Sequence, residues 1–114
     1  MLFASDSKMW MYVQADGSHG GAYNLSGNVS NPTITLGVWH RLEILQRYPT
    51  SSSSNDGIFR WWIDGVLCGN YTNVGWSTGS TYDELRFAPT WGGVVGSVGF
   101  DTSWEIDHVH ISRP

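Results

Sequence analysis

Arginine, glutamate and tryptophan alternate with apolar residues in two nearby runs, WHRLEILQRY at 39–48 and GIFRWWIDGV at 57–66. Side chains alternate across a strand, so each run reads as a strand with two unlike faces. In the first, Leu42 and Ile44 mark the core side, and Arg41, Glu43 and Arg47 oppose them. In the second, Phe59, Trp61 and Ile63 mark the core side, and Arg60, Trp62 and Asp64 oppose them. A face that combines planar cations, a carboxylate and an indole fits a polyhydroxylated ligand. The indole packs on the apolar face of a sugar ring, while guanidinium and carboxylate groups bond its hydroxyls. Trp10 and Tyr12 repeat this character in KMWMYVQA, opposite Met9, Met11, Val13 and Ala15. The candidate ligand-binding residues are therefore Trp10, Tyr12, Arg41, Glu43, Arg60 and Trp62.

Other chemistry is less well supported by spacing. His108 and His110 would share one face of a strand, a zinc-compatible spacing, but no third ligand lies nearby in the sequence. Asp56, Asp64, Asp83 and Asp101 lie in or beside turns and are candidates for a structural calcium, although short acidic residues equally form turns. No cofactor is otherwise implied. Cys68 is the single cysteine, which excludes an internal disulfide. It reads as a small buried hydrophobe in preference to a reactive thiol. The Asn-x-Ser/Thr triplets at Asn24, Asn28 and Asn70 read as products of composition rather than as glycan acceptors.

The elements that must position these residues are strands. Lys8 to Ala15 alternates, DGSHGG at 16–21 is turn chemistry, and Tyr23 to Pro32 is a short strand or ordered loop. Thr33 to Leu36 is briefly β-prone. The four serines within Pro49 to Asp56 predict a flexible hairpin connection, and Asp64-Gly65 predicts a tight reversal. Leu67 to Ser80 is mixed and glycine-rich, Tyr82 to Ala88 alternates, Thr90 to Thr102 is a glycine-rich loop, and Trp104 to Ser112 reads as a terminal strand. No stretch sustains a helical apolar period, so little or no helix is expected. Strands at this spacing predict an all-β antiparallel sandwich. If the strands carrying Trp10/Tyr12, Arg41/Glu43/Arg47, Arg60/Trp62 and Glu84/Arg86 are neighbours in one sheet, they form a continuous polar-aromatic surface.

Composition sets the outer bounds. A chain of 114 residues makes one domain, 1–114, with one modest core. Charged residues are 14%, while glycine numbers 14 and tryptophan 7, a profile of loop-rich β-structure. Ten acidic residues against six basic ones argue against nucleic acid as a partner. No apolar run approaches the roughly 18 residues that span a membrane. MLFASDSKMWMYV lacks the basic end and apolar stretch of a secretory signal, which leaves the compartment unassigned.

Taken in order, GVWHRLEI, NDGIFRWWIDG, YDELRFAP with a trailing Gly-Gly, and a closing WEIDHVHIS resemble the concanavalin A-like lectin/glucanase superfamily (LamG-like jelly rolls). The resemblance spans Lys8 to Ser112. It implies a jelly-roll β-sandwich whose concave face binds or cleaves polysaccharide. Such domains are usually longer, and Met1 enters midway through the pattern, so the domain reads as minimal or incomplete at its N-terminus. A shortened sheet exposes edges, and a homo-oligomer is the expected remedy.

WEIDHVH resembles the Glu-x-Asp-x-x-Glu signature of retaining glucanases, with Glu105 and Asp107 in the first two positions and His110 in place of the second glutamate. The general acid/base carboxylate of that chemistry is thus replaced. A polysaccharide lyase would need a base beside a uronate-neutralising cation, which Tyr12 or His40 with Arg41 and Arg60 could supply. The Gln-x-His and Tyr-x-Lys-x-Gly-x-Tyr motifs of the alginate-lyase branch do not occur. The favoured reading is a non-catalytic module that binds a polysaccharide or oligosaccharide. The alternatives are a lyase or hydrolase fragment, and a self-assembling domain that buries its aromatic face.

Overall fold

The computed structural model describes residues 2–3, 8–14, 22–75 and 105–112. By its contacts the chain divides into two units, Met1–Thr81 and Tyr82–Pro114. Among the described residues there is no helix; the first unit is built from antiparallel strands. They are β1 (Leu2–Phe3), β2 (Met9–Gln14), β3 (Ala22–Leu25), β4 (Leu42–Arg47), β5 (Gly57–Ile63) and β6 (Val66–Val74). One sheet has the order β1-β2-β3 and the other β4-β5-β6.

The β5–β6 hairpin follows from its turn. Ile63 pairs with Val66 across the two-residue loop Asp64-Gly65, whose φ angles are 51° and 80°. Both are left-handed, as a type I′ turn requires, and Asp-Gly meets that requirement at little cost. The β4–β5 pairing is regular from Leu42↔Ile63 to Arg47↔Ile58.

The expected parity of β5 is observed without exception. Phe59, Trp61 and Ile63 are buried, and Ile58, Arg60 and Trp62 between them are half-buried. Met9 and Met11 from β2 and Leu25 from β3 join them in one core, with Cys68 and Val74 from β6. Trp61 is its centre, at 0% exposure. Its ring stacks on Tyr71 at 5.9 Å between centroids and 10° between planes, and Phe59 tilts against it at the same distance and 56°. Gly69 is its cross-strand partner, and a Cβ there would overlap the six-membered ring of Trp61. The indole therefore lies over the one β6 position that has no side chain.

The structure adds to or departs from the sequence reading in several places. First, Val66–Val74 is a nine-residue strand where only mixed sequence was evident. Its pairing with β5 shifts register between Gly57 and Phe59 and again between Trp61 and Trp62. These bulges break the two-residue period and leave Cys68 and Gly69 buried in succession. Second, Ile44 is 52% exposed although its parity is that of Leu42. β4 is the outermost strand of its sheet among the described residues, and only its Leu42 packs against the core.

Third, the Pro49 to Asp56 connection carries hydrogen bonds of its own. Asp56 Oδ1 accepts from the Thr50 N–H at 2.9 Å and from the Ser54 hydroxyl at 2.7 Å, and the Ser51 N–H donates to Ser54 Oγ at 2.9 Å. Those hydrogen bonds, the Ser54 hydroxyl foremost, bring the Asp56 carboxyl down to about 2. Fourth, residues 105–112 form no strand, and all of them are exposed. His108 has φ 53°, outside the extended region, and its own N–H donates to Asp107 Oδ1 at 2.8 Å. A side chain that bonds the next backbone N–H competes with a strand ladder. Thr33 to Leu36 reduces to one isolated bridge, Lys8↔Thr33. The Tyr82 to Ala88 strand and the Thr90 to Thr102 loop lie outside the described residues.

Candidate binding face at the head of β4 and β5

Asp64, the first residue of the β5–β6 turn, organises the entry to β4. Its Oδ1 accepts from the Arg41 N–H at 2.8 Å, its Oδ2 from His40 Nδ1 at 2.7 Å, and its own N–H donates to the Arg41 carbonyl at 2.9 Å. Two of these bonds fix the Arg41 backbone to the hairpin, and the third holds the His40 ring. On its other side, His40 Nε2 lies 3.2 Å from both the N–H and the carbonyl oxygen of Thr35. The neutral ring accepts there; the protonated ring donates. The hydrogen bond to the Asp64 carboxylate raises the His40 pKa above its ordinary value, against the opposing effect of burial. Reciprocally, His40 and then the Arg41 N–H lower that of Asp64.

The side chains that follow lie on the sheet's outer face. Arg41 Nε meets Glu43 Oε1 at 3.0 Å, with both side chains largely exposed. Glu43 stands directly opposite Trp62 in the register, and Leu45 opposite Arg60. Across the next strand Arg60 faces Asn70, and its Nε donates to Asn70 Oδ1 at 2.7 Å. That acceptor is neutral, so Arg60 keeps its charge uncompensated among the described residues. Asn70 is itself held: its N–H donates to Asn28 Oδ1 at 2.7 Å and its carbonyl accepts from Asn28 Nδ2 at 3.0 Å. Asn28 thus extends the ladder with its side-chain amide, and the Val29 and Ser30 N–H groups donate to the Cys68 carbonyl beside it.

The fold therefore brings Arg41, Glu43, Arg60 and Trp62 together on one face. It places Trp10 and Tyr12 on β2, which pairs with β1 and β3. The strands carrying the six residues are not neighbours in one sheet, so the single continuous surface expected under that condition does not form from them. Trp39 carries no role in the sequence reading. It is 64% exposed on the segment that leads into β4, with Leu36 at 89% and Val38 at 57%. Read as part of a strand over 39–48, Trp39 shares the parity of Arg41 and Glu43; in the structure the strand begins only at Leu42.

The remaining candidates resolve individually. Cys68 is 1% exposed, its thiol donates to the Val66 carbonyl, and burial raises its pKa. The carboxylates of Asp56 and Asp64 are engaged as described above, and Asp83 and Asp101 lie outside the described residues. No group of three metal-ligating side chains occurs among the described residues. Glu105 and Asp107 do not stand on a strand, the arrangement that a paired nucleophile and acid would use.

In comparisons with protein-family models, curated proteins and solved structures, the chain matches none.

Proposed function

We propose that this chain is a non-catalytic carbohydrate-binding module with a jelly-roll sandwich of the concanavalin A-like type. The observation that carries the reading is the outer face of β4 and β5. There a half-buried indole, Trp62, stands across from Glu43, with Arg41 and Arg60 beside them. Trp62 offers the stacking plane, and the Arg41–Glu43 pair offers both donors and acceptors to ring hydroxyls. Arg60 is oriented by a neutral amide and retains its charge, which favours a uronate or sulfated glycan over a neutral one. The exposed Trp39 supplies a second apolar plane near the same end.

The test is a titration against neutral, uronate and sulfated polysaccharides, with Trp62→Ala beside the parent. Losing a central tryptophan contact costs about 2 kcal/mol, roughly a thirtyfold loss of affinity. Saturable binding to the anionic glycans that weakens with salt and with Trp62→Ala is expected. No response from the parent across the panel would sink the reading.

A further inference from the structure

β5 covers one edge of β4, and among the described residues nothing pairs with the other. An unpaired edge presents a row of backbone donors and acceptors to any strand that approaches. β4 also leaves Ile44 52% exposed midway along its length. Two copies of such a strand can pair about a two-fold axis normal to the sheet. That axis makes the strands antiparallel and keeps each face continuous, so facing residues must have the same parity.

Charge then selects among the few registers allowed. An axis through Glu43 sets that carboxylate against its own copy. An axis through Ile44 sets Arg41 against Arg47 of the second copy. An axis through Gln46 pairs no charges within the strand. An axis through Leu45 places Glu43 opposite Arg47 of the second copy and Arg47 opposite its Glu43, so that two opposite-charge cross-strand pairs form at once. In that register Leu45 meets its own copy on the outer face, and the exposed Ile44 meets Gln46 on the other. Both charged groups have capacity to spare. Glu43 already bonds Arg41 through one oxygen, and Arg47 bonds the Asp56 carbonyl through Nη2 alone.

We propose that the outer edge of β4 is the seam of a two-fold dimer of this chain, paired about Leu45. The dimer carries a six-stranded sheet with β4 beside β4 at its centre. Its outer face repeats Arg60 and Trp62 on both sides of the seam, a geometry that would let one long polysaccharide engage both copies. The assembly itself does not rest on the glycan reading, because its test reads mass and no sugar is present.

The experiment measures mass against concentration by sedimentation equilibrium for the parent, Glu43→Arg, Arg47→Glu, and an equimolar mixture of the two variants. The parent is expected to dimerise. Each single variant places like charges opposite each other twice and is expected to weaken dimerisation at least tenfold. The mixture is expected to recover a one-to-one dimer, because one variant then carries only cations along the seam and the other only anions. The double variant Glu43→Arg/Arg47→Glu, which restores both pairs, is expected to dimerise like the parent. A parent that stays monomeric at every concentration overturns the proposal, as it would if another part of the chain covers this edge. Single variants that dimerise as tightly as the parent, or a mixture that stays monomeric, overturn the register.

Discussion

Replacing Gly69 by alanine isolates the contact on which the core depends. The backbone at Gly69 is not left-handed, so alanine meets no conformational penalty there. With open space above it, the substitution would stabilise the fold by about 0.4–1 kcal/mol through reduced freedom of the unfolded chain. The space is not open, because the new methyl would overlap the Trp61 ring. That ring has nowhere to go: it is 0% exposed, with Tyr71 stacked on it and Phe59 tilted against it. Overpacking of this kind costs roughly 1–3 kcal/mol. Taking the upper end for a fully enclosed ring, the net loss is about 2 kcal/mol. At about 4 °C per kcal/mol for a chain of this size, Tm falls by about 8 °C. With a urea m-value of about 2 kcal/mol per molar, the unfolding midpoint falls by about 1 M. Trp61→Ala opens the space and alone costs about 3–5 kcal/mol. Combined with Gly69→Ala it should cost about 2 kcal/mol less than the sum of the two. An unchanged or raised Tm for Gly69→Ala, or strict additivity in the pair, would refute the packing of Trp61 over Gly69.

Two further predictions concern the groups that hold the outer face in place. The raised pKa of His40 means that its bond to Asp64 stabilises the fold fully below pH 6.5, a contribution lost as pH rises through the folded value above it. The lowered pKa of Asp64 means that its share is present above pH 3.8 and lost as pH falls through the folded value below it. The pair therefore stabilises the hairpin most between those limits. An NMR titration of the His40 ring should give a midpoint above 6.5 that drops in Asp64→Asn; a midpoint at or below 6.5 in the parent rules the pairing out. Asn28→Ala removes both bonds to the Asn70 backbone, with an expected cost of about 1 kcal/mol at this exposed position and faster amide exchange at Asn70. Unchanged exchange at Asn70 would show that the latch does not form.

Much of this architecture was legible because β5 obeys a strict period of two. Phe59, Trp61 and Ile63 announce a buried row, Arg60 and Trp62 the opposite one, and Asp64-Gly65 the turn that ends the strand. The same rule in Lys8 to Ala15 puts Met9 and Met11 on one face, and the structure buries both. β6 was hidden because each of its two bulges resets the period, and a glycine at its most crowded point looks like a loop residue until the ring above it is seen. Ile44 was misplaced because parity names a face but does not say how far the core extends along it. The Asp64–His40 link spans 24 positions and depends on a turn type as well as on pairing register. Asp64 was recognised as a turn residue and His40 as a titratable one, but no local pattern joins them. The closing strand failed at Asp107-His108, where an aspartate that bonds its neighbour's N–H outweighs the alternation around it.

The two tryptophans in succession on β5 tie the outer face to the core. Opposite parity sends Trp61 into the core and Trp62 outward from the next peptide, so the outer ring is anchored through the most tightly enclosed side chain among the described residues. Burying such an indole removes roughly 150–250 Å² from water, worth about 4–6 kcal/mol, less about 1–3 kcal/mol for its buried Nε1–H, which has no hydrogen-bond partner among the described residues. The neighbouring cation is held differently. Arg60 bonds Asn70, and Asn70 is held at N–H and carbonyl by Asn28, from the loop that follows β3. Tyr71, which stacks on Trp61, donates its hydroxyl to the Ser26 carbonyl in that same loop. Residues 26–28 therefore bear on both the ring beneath the face and the charge upon it. On the proposed glycan reading, a surface restrained in this way loses little side-chain freedom on binding, one of the costs that association must overcome. On that reading, loosening the loop should reduce affinity.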